Sequence, residues 1–259
     1  MQRLALVLAL ALMSVVSTTT SADAQTCARP GSVGPVASPD ALFAPALREA
    51  RARSWHAAGR RGAPPRRGGR ARWAVPPAAL ADGPTLEVGV LALERLPGPR
   101  RPGASAWLAV QLPDGWHAYE AASRPGSRSA VRVDADEPTV TRLFEQSPPG
   151  VTLTVHFSEG WRARGFDYFV WHDHVAACGL DGDAPACFGS IEIEVGTSES
   201  DGEGSERTVE TVRADFDGRG HVDVEAASGQ ETIPAGEPSI FDQLGRHDVR
   251  SLGCAPPSR

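Results

Sequence analysis

Between Thr85 and Gly196 apolar and polar residues alternate with a period of two, and this constrains the chain more than any other feature. Leu86, Val88 and Val90 alternate, as do Ala106, Leu108, Val110 and Leu112. Val151, Leu153, Val155 and Phe157 alternate against Thr152, Thr154 and His156, and Ile191, Ile193 and Val195 alternate against Glu192 and Glu194. Successive side chains of a strand point to opposite faces, so such runs present one face to a core and the other to water. Turn-forming pairs punctuate them at Pro97-Gly98, Pro113-Asp114-Gly115, Pro125-Gly126 and Pro149-Gly150, where antiparallel strands reverse. No helical period competes within this stretch. The expectation is an all-β domain at 85–196, an antiparallel β-sandwich of immunoglobulin-like size with about seven strands in about 110 residues.

The flanks read differently. Arg3, the apolar run Leu4 to Val16 and the small-x-small site Ala22-Asp23-Ala24 have the form of a signal peptide over 1–24. The mature chain is then expected to begin at Gln25 and to be periplasmic or secreted. No later apolar stretch approaches the roughly 20 residues of a membrane span, so membrane insertion is not expected. Residues 25–84 are rich in Ala, Pro, Gly and Arg and are expected to be poorly ordered apart from a short helix from Pro39-Asp40 to His56, capped by Asp40. Within them Gly59 to Arg72 reads as a flexible basic linker, because it has too little apolar area to offset its ordering entropy. Residues 197–206 read as an acidic Ser/Gly linker and 207–259 as a β-hairpin and tail. The Asp215–Asp223 stretch is similar to Asp-rich calcium loops, but Arg219 stands where an oxygen ligand belongs and no bidentate Glu closes it. A hairpin with a Gly-Arg-Gly turn is the simpler reading.

Charge is segregated along the chain. There are 26 arginines, no lysine and no asparagine, and Arg48 to Arg72 holds nine arginines against one acid in a chain of formal net charge -6. Such a run would bind phosphates nonspecifically. Export, the acidic remainder and a residue usage biased toward arginine speak against a nucleic-acid partner.

Four cysteines allow three pairings. Cys178 and Cys187 are separated by eight residues, and Cys27 and Cys254 lie near the two mature ends. In an oxidising compartment the expected bridges are Cys178 with Cys187 and Cys27 with Cys254. The first is either a structural staple or a redox centre. Asp181 and Asp183 lie between its cysteines and no arginine does, which opposes formation of a reactive thiolate.

The segment Ala106-Trp107-Leu108-Ala109-Val110-Gln111-Leu112-Pro113-Asp114-Gly115-Trp116-His117-Ala118-Tyr119 resembles the early strand and turn of the periplasmic amino-terminal domain of the DsbD-type thiol:disulfide interchange reductases. Phe169 to Cys178, then Cys187-Phe188 and the strand Ile191 to Val195, resembles that domain's late strand, cysteine pair and closing strand. The likeness covers about 85–196. It implies an immunoglobulin-like sandwich whose cysteine pair passes electrons to periplasmic partners. On that reading Cys178 and Cys187 would be catalytic, exchanging a disulfide with a partner thiol, with Trp116, Tyr119 and Phe188 as the surrounding shell.

His172-Asp173-His174 offers a third possibility. Two histidines two apart on a strand share a face and are candidate metal ligands, with His156 or Asp181 completing the set. No hydrolase triad order, zinc-protease motif or phosphate loop is present, and no cofactor is implied. The reading from sequence is an exported β-sandwich that binds or scaffolds an envelope partner, with thiol:disulfide exchange and metal binding as the alternatives.

Overall fold

The computed structural model describes residues 30–66, 68–80, 86–181, 184–201, 204–227 and 239–253. The expected signal peptide, Cys27, Cys254 and Asp183 lie outside them. In chain order the amino-terminal half contains β1 (Ser32–Val36), α1 (Phe43–Ala57), β2 (Arg70–Ala79), β3 (Glu87–Leu96), β4 (Arg101–Leu112) and β5 (Gly115–Gly126). It is followed by β6 (Arg132–Ala135), β7 (Thr139–Thr141), β8 (Gly150–Ala163), β9 (Phe166–Asp181) and β10 (Ala184–Ser200). Then come β11 (Ser205–Phe216), β12 (His221–Ala226) and β13 (Gly245–Asp248).

The strands form two antiparallel sheets. The first has the order β1-β5-β4-β3-β2, and the second β13-β12-β11-β10-β9-β8-β6, with β7 also paired to β8. The alternation read from the sequence fills the space between them: Val90, Ala92, Ala106 and Leu108 of the first sheet share one core with Leu153, Val155, Phe157 and Ala176 of the second. Each large side chain buried there contributes about 1.5–3 kcal/mol by leaving water.

The outer face of the first sheet is apolar as well. Leu91, Leu93, Trp107 and Ala109 lie on it, covered by Leu42, Ala46 and Ala50 from α1 and the 3-10 turn before it. The small alanines let the helix approach, and the Trp107 indole N–H is satisfied by Ser105 Oγ at 2.9 Å. Trp116 and Ala118 of β5 complete this second core.

The expectation of poor order over 25–84 therefore needs correction at 32–36 and 70–79, while the short helix expected within it is present as α1. β1 pairs with β5, β2 pairs with β3, and the few apolar residues of α1 cover sheet surface that would otherwise face water. Asp40 is not a cap: the first turn, Pro39–Leu42, has no side-chain capping bond, and Asp40 Oδ1 accepts from Trp73 Nε1 at 3.0 Å. Arg70 and Arg72 belong to an edge strand, not to a linker.

The carboxyl-terminal stretch extends the second sheet. Residues 197–200 continue β10 and 205–206 begin β11, with Glu199 opposite Glu206 and Ser200 opposite Ser205. β11 and β12 form the hairpin read from the sequence. At its turn Asp217 Oδ1 accepts from the backbone N–H groups of Arg219 at 2.7 Å and His221 at 3.0 Å, and Asp217 Oδ2 is ion-paired to Arg246. Those backbone bonds, Arg219's first, hold the Asp217 carboxyl below its ordinary range against the opposing effect of burial. Its oxygens are committed to the turn. Ile240 packs against Ile191, Val195, Val212, Val222 and Val224 to make a third, smaller core.

Among the described residues no helix is long and apolar enough to cross a membrane.

Candidate functional site

β9 and β10 place Cys178 directly opposite Cys187, and the two are joined by a disulfide. Both cysteines are only 2% exposed and belong to the core between the sheets, among residues such as Val151 and Leu153. The Cys187 Sγ lies 3.9 Å from the Tyr119 carbonyl oxygen of the opposite sheet. Exchange requires a thiolate to reach one sulfur, and a thiolate is favoured by nearby positive charge. This pair has neither access nor such a neighbour among its core contacts. It is a structural disulfide, worth roughly 3 kcal/mol in the loop-entropy model.

A bulge follows the pair, where the register shifts between Cys187 and Gly189. Gly189 has φ +119°, and a Cβ there would collide with the backbone of Gly253. The close approach lets Gly253 N donate to Phe188 O at 2.7 Å, tying the end of the described chain to the strand that carries Cys187.

The three aromatics proposed to surround the pair are not together. Tyr119 packs against the intersheet core beside the disulfide, and burial, reinforced by Asp114, raises its pKa. Trp116 is buried under α1, on the other face of the first sheet. Phe188 points out of the second sheet into a cluster with Leu143, Ala177 and Val249, its ring edge-on to Phe144 at 5.4 Å. Neighbouring strand residues face opposite ways, so Phe188 cannot share the side of Cys187.

His172 and His174 do turn to the Cys178 side, and they meet two charged residues that the sequence reading did not single out. His172 Nδ1 lies 2.5 Å from Glu192 Oε1, and Arg124 Nη2, from the opposite sheet, donates to His172 Nε2. Arginine has no acceptor lone pair, so His172 must keep Nε2 bare and carry its proton on Nδ1. Arg124 Nη1 also lies 3.5 Å from Glu192 Oε1. Burial alone would raise the Glu192 pKa, but the His172 hydrogen bond, aided by the surrounding histidines and the Arg124 guanidinium, outweighs it and holds the carboxyl low.

His174 sits deeper in chemical terms. Its Nδ1 is 3.4 Å from Ser190 Oγ, its ring meets Phe157 edge-on at 5.4 Å, and its Nε2 is buried without a hydrogen-bond partner. Burial pushes its pKa down to about 4, Arg124 and His172 adding to the effect and Glu192 opposing it. The ring is neutral at ordinary pH.

The metal reading meets two obstacles of geometry. Both nitrogens of His172 are taken, one of them by a guanidinium that stands where a cation would have to sit. His156 faces the other side of the sheet, where its Nδ1 is 2.9 Å from Asp173 Oδ1 and its Nε2 3.2 Å from Asp136 Oδ1. The Asp173 hydrogen bond, with help from Asp136 and against burial, raises its pKa to about 9. Among the described residues no group of three or more His, Cys, Asp or Glu is arranged to hold a metal ion.

Arg124 and His172 line a cleft of about 310 Å³ together with Arg128, Trp161, Tyr168 and Glu199. The Trp161 and Tyr168 rings stack at 5.4 Å, and the Tyr168 hydroxyl donates to Glu199 Oε1 at 3.2 Å. One rim is fixed by Glu159, whose buried carboxylate accepts from the backbone N–H groups of Ser127, Arg128 and Ser129 at 3.2, 3.0 and 3.0 Å. This is an ordered polar surface with an aromatic wall. His172 spends both nitrogens on Arg124 and Glu192 and is not available there as a free base.

The sequence held a partial signal for these residues. Glu192 shares strand parity with Glu194, and the alternation predicts that both face solvent. Arg124 and Glu159 are distant in sequence from the histidine tripeptide, and only the packing of β5 against β9 brings Arg124 to it.

No protein-family model, curated protein or solved structure matches this chain.

Proposed function

We propose that the protein is an exported binding module of the cell envelope or its surroundings, built on an immunoglobulin-like sandwich and stapled by Cys178–Cys187. The burial of both sulfurs in the intersheet core is the observation that carries this reading. A DsbD-type domain has to present its cysteine pair to a partner thiol. Here the sulfurs are covered by the opposite sheet at Tyr119. The likeness of 85–196 to the DsbD-type domain is then one of fold, with the exchange chemistry absent.

The single variant Cys187→Ser tests this. In a binding module the liberated Cys178 thiol stays closed to iodoacetamide in the folded protein and reacts only in denaturant. A mixed disulfide trapped between Cys178 and an envelope protein would overturn the reading in favour of exchange.

A further inference from the structure

The nine-arginine stretch of the sequence does not behave as a single unit. Its last members, Arg70 and Arg72 on β2, converge with Arg95 on β3 and Arg132 on β6 around a groove of about 670 Å³. The groove lies where the edge strand of the first sheet meets the edge strand of the second, and exposed Phe169 stands on its rim. Four guanidiniums from three strands thus share one concavity in a chain whose net charge is -6.

Only Arg72 is compensated. It lies 3.7 Å from Glu94 and 3.6 Å from Asp134, and it donates to the Val133 carbonyl at 2.6 Å. Arg70, Arg95 and Arg132 are exposed and make no ion pair or hydrogen bond through their guanidiniums among the described residues. Like charges held together without counterions repel, so a surface built this way is stabilised by an anion.

Arg95 supplies an independent observation. It is the extra residue of a β-bulge, at the register shift between Glu94 and Leu96, and it has φ +55°. A glycine suits this conformation, whereas a bulky L-residue is strained there by about 1–2 kcal/mol. Bulges re-aim side chains, and strain of this kind gathers at ligand clamps. Arg164, with φ +53°, needs no such account, since it sits with Gly165 in the tight turn between β8 and β9.

We infer that this groove binds a ligand carrying two or more phosphate groups, either free in solution or as the headgroup of a lipid. The inference rests on the reading of the protein as a binding module and names its ligand class. Guanidinium forks match phosphate oxygens in bidentate fashion. Three uncompensated cations call for a charge density that a diphosphate supplies within a few ångströms and a lone carboxylate does not. The volume exceeds what one phosphate would fill, and the Phe169 ring offers an apolar contact to whatever carries the phosphates.

Calorimetric titration of the full chain with inorganic diphosphate at low ionic strength tests this, with citrate as a comparator of similar charge. Saturable one-to-one binding is expected, at least tenfold tighter than citrate and weakened by added salt. Arg95→Gly, which suits the φ of this position, should lower the affinity at least tenfold while leaving Tm equal or higher. Arg132→Gln provides a second variant and should do the same to affinity. Flotation with vesicles of phosphatidylcholine alone or with cardiolipin, which carries two phosphates, separates the sources: capture by cardiolipin vesicles, lost in Arg95→Gly, assigns a lipid headgroup, and diphosphate binding without capture assigns a soluble ligand. Absence of both, binding indifferent to Arg95→Gly and Arg132→Gln, or tighter binding to a single-stranded oligonucleotide than to either probe would overturn the inference. Those failures would leave the reactivity of Cys178 unchanged, so they are distinct from a failure of the binding-module reading.

Discussion

Arg124 on β5 donates its Nη2–H to Nε2 of His172 on β9, so a single side-chain contact joins the two sheets and fixes which nitrogen of the histidine carries the proton. Glu192 completes the network by accepting from His172 Nδ1 and facing the same guanidinium. Replacing Arg124 by Ala leaves a bare imidazole nitrogen without its donor and takes from the largely buried Glu192 carboxylate its guanidinium neighbour. A loss of about 1–3 kcal/mol in urea denaturation is expected. A double-mutant cycle between Arg124→Ala and His172→Ala should show coupling well above the few tenths of a kcal/mol seen for independent sites.

Acid and base should weaken the fold through different histidines. The folded-state pKa of His174 is lowered from 6.5 to about 4, so below pH 6.5 the unfolded chain takes up a proton that the folded one refuses. Stability should therefore fall as the pH drops from 6.5 toward 4, by at most about 3 kcal/mol. Phe or Gln at position 174 should flatten this limb. Equilibrium unfolding at a series of pH values measures it directly.

His156 acts in the opposite direction. Its folded pKa is raised from 6.5 to about 9, so its contribution is fully present below pH 6.5 and is lost as the pH rises through 9. The ring and both its carboxylate partners are accessible to water, which keeps the effect small. His156→Gln should remove the alkaline slope without changing the acid limb.

The alternation at Val151 to Phe157 and at Ala106 to Leu112 was enough to read strands, their antiparallel sense and their inward residues, because a half-buried strand writes its own period. The first sheet's second covered face was harder to read. In Val90-Leu91-Ala92-Leu93 both parities are apolar, which signals burial on both sides, but the cover is poor in fully buried large residues: α1 supplies Ala46 and Ala50, with Phe43 and Leu47 half-buried beside them, and the turn before it supplies Leu42. The candidate site divided in the same way. Parity put His172 and His174 on the side of Cys178. It gave no access to Arg124, which arrives from the other sheet, nor to the convergence of Arg70 and Arg95, set by the pairing of β2 with β3, with Arg132 from the other sheet.

Glu159 should prove a structural residue. Its carboxylate gathers three consecutive backbone N–H groups at 127–129, and Ala at this position would strand them. A loss of about 2–3 kcal/mol is expected, with Gln recovering part of it because its carbonyl still accepts. Hydrogen exchange at residues 127–129 should accelerate in Glu159→Ala and report the local opening.

Trp171 depends on the absence of a side chain opposite it. A Cβ at Gly196 would collide with the Trp171 ring, whose Nε1 donates to Glu194 Oε1 at 2.6 Å and whose face receives the Arg207 guanidinium at 4.6 Å. Gly196→Ala should destabilise by about 1–3 kcal/mol through overpacking. Combining it with Trp171→Leu should cost less than the sum of the two single changes, as thermal or urea unfolding would show.

The reduction potential of the Cys178–Cys187 pair tests the central claim most directly. Equilibration of the purified protein in defined glutathione mixtures, with Cys178→Ser/Cys187→Ser as the control, reads it without reference to any partner. A disulfide sealed in the intersheet core and acting as a staple should have a potential below about -300 mV and stay oxidised throughout the glutathione range. A value near -200 mV, the range of exchange-active pairs, would contradict the account.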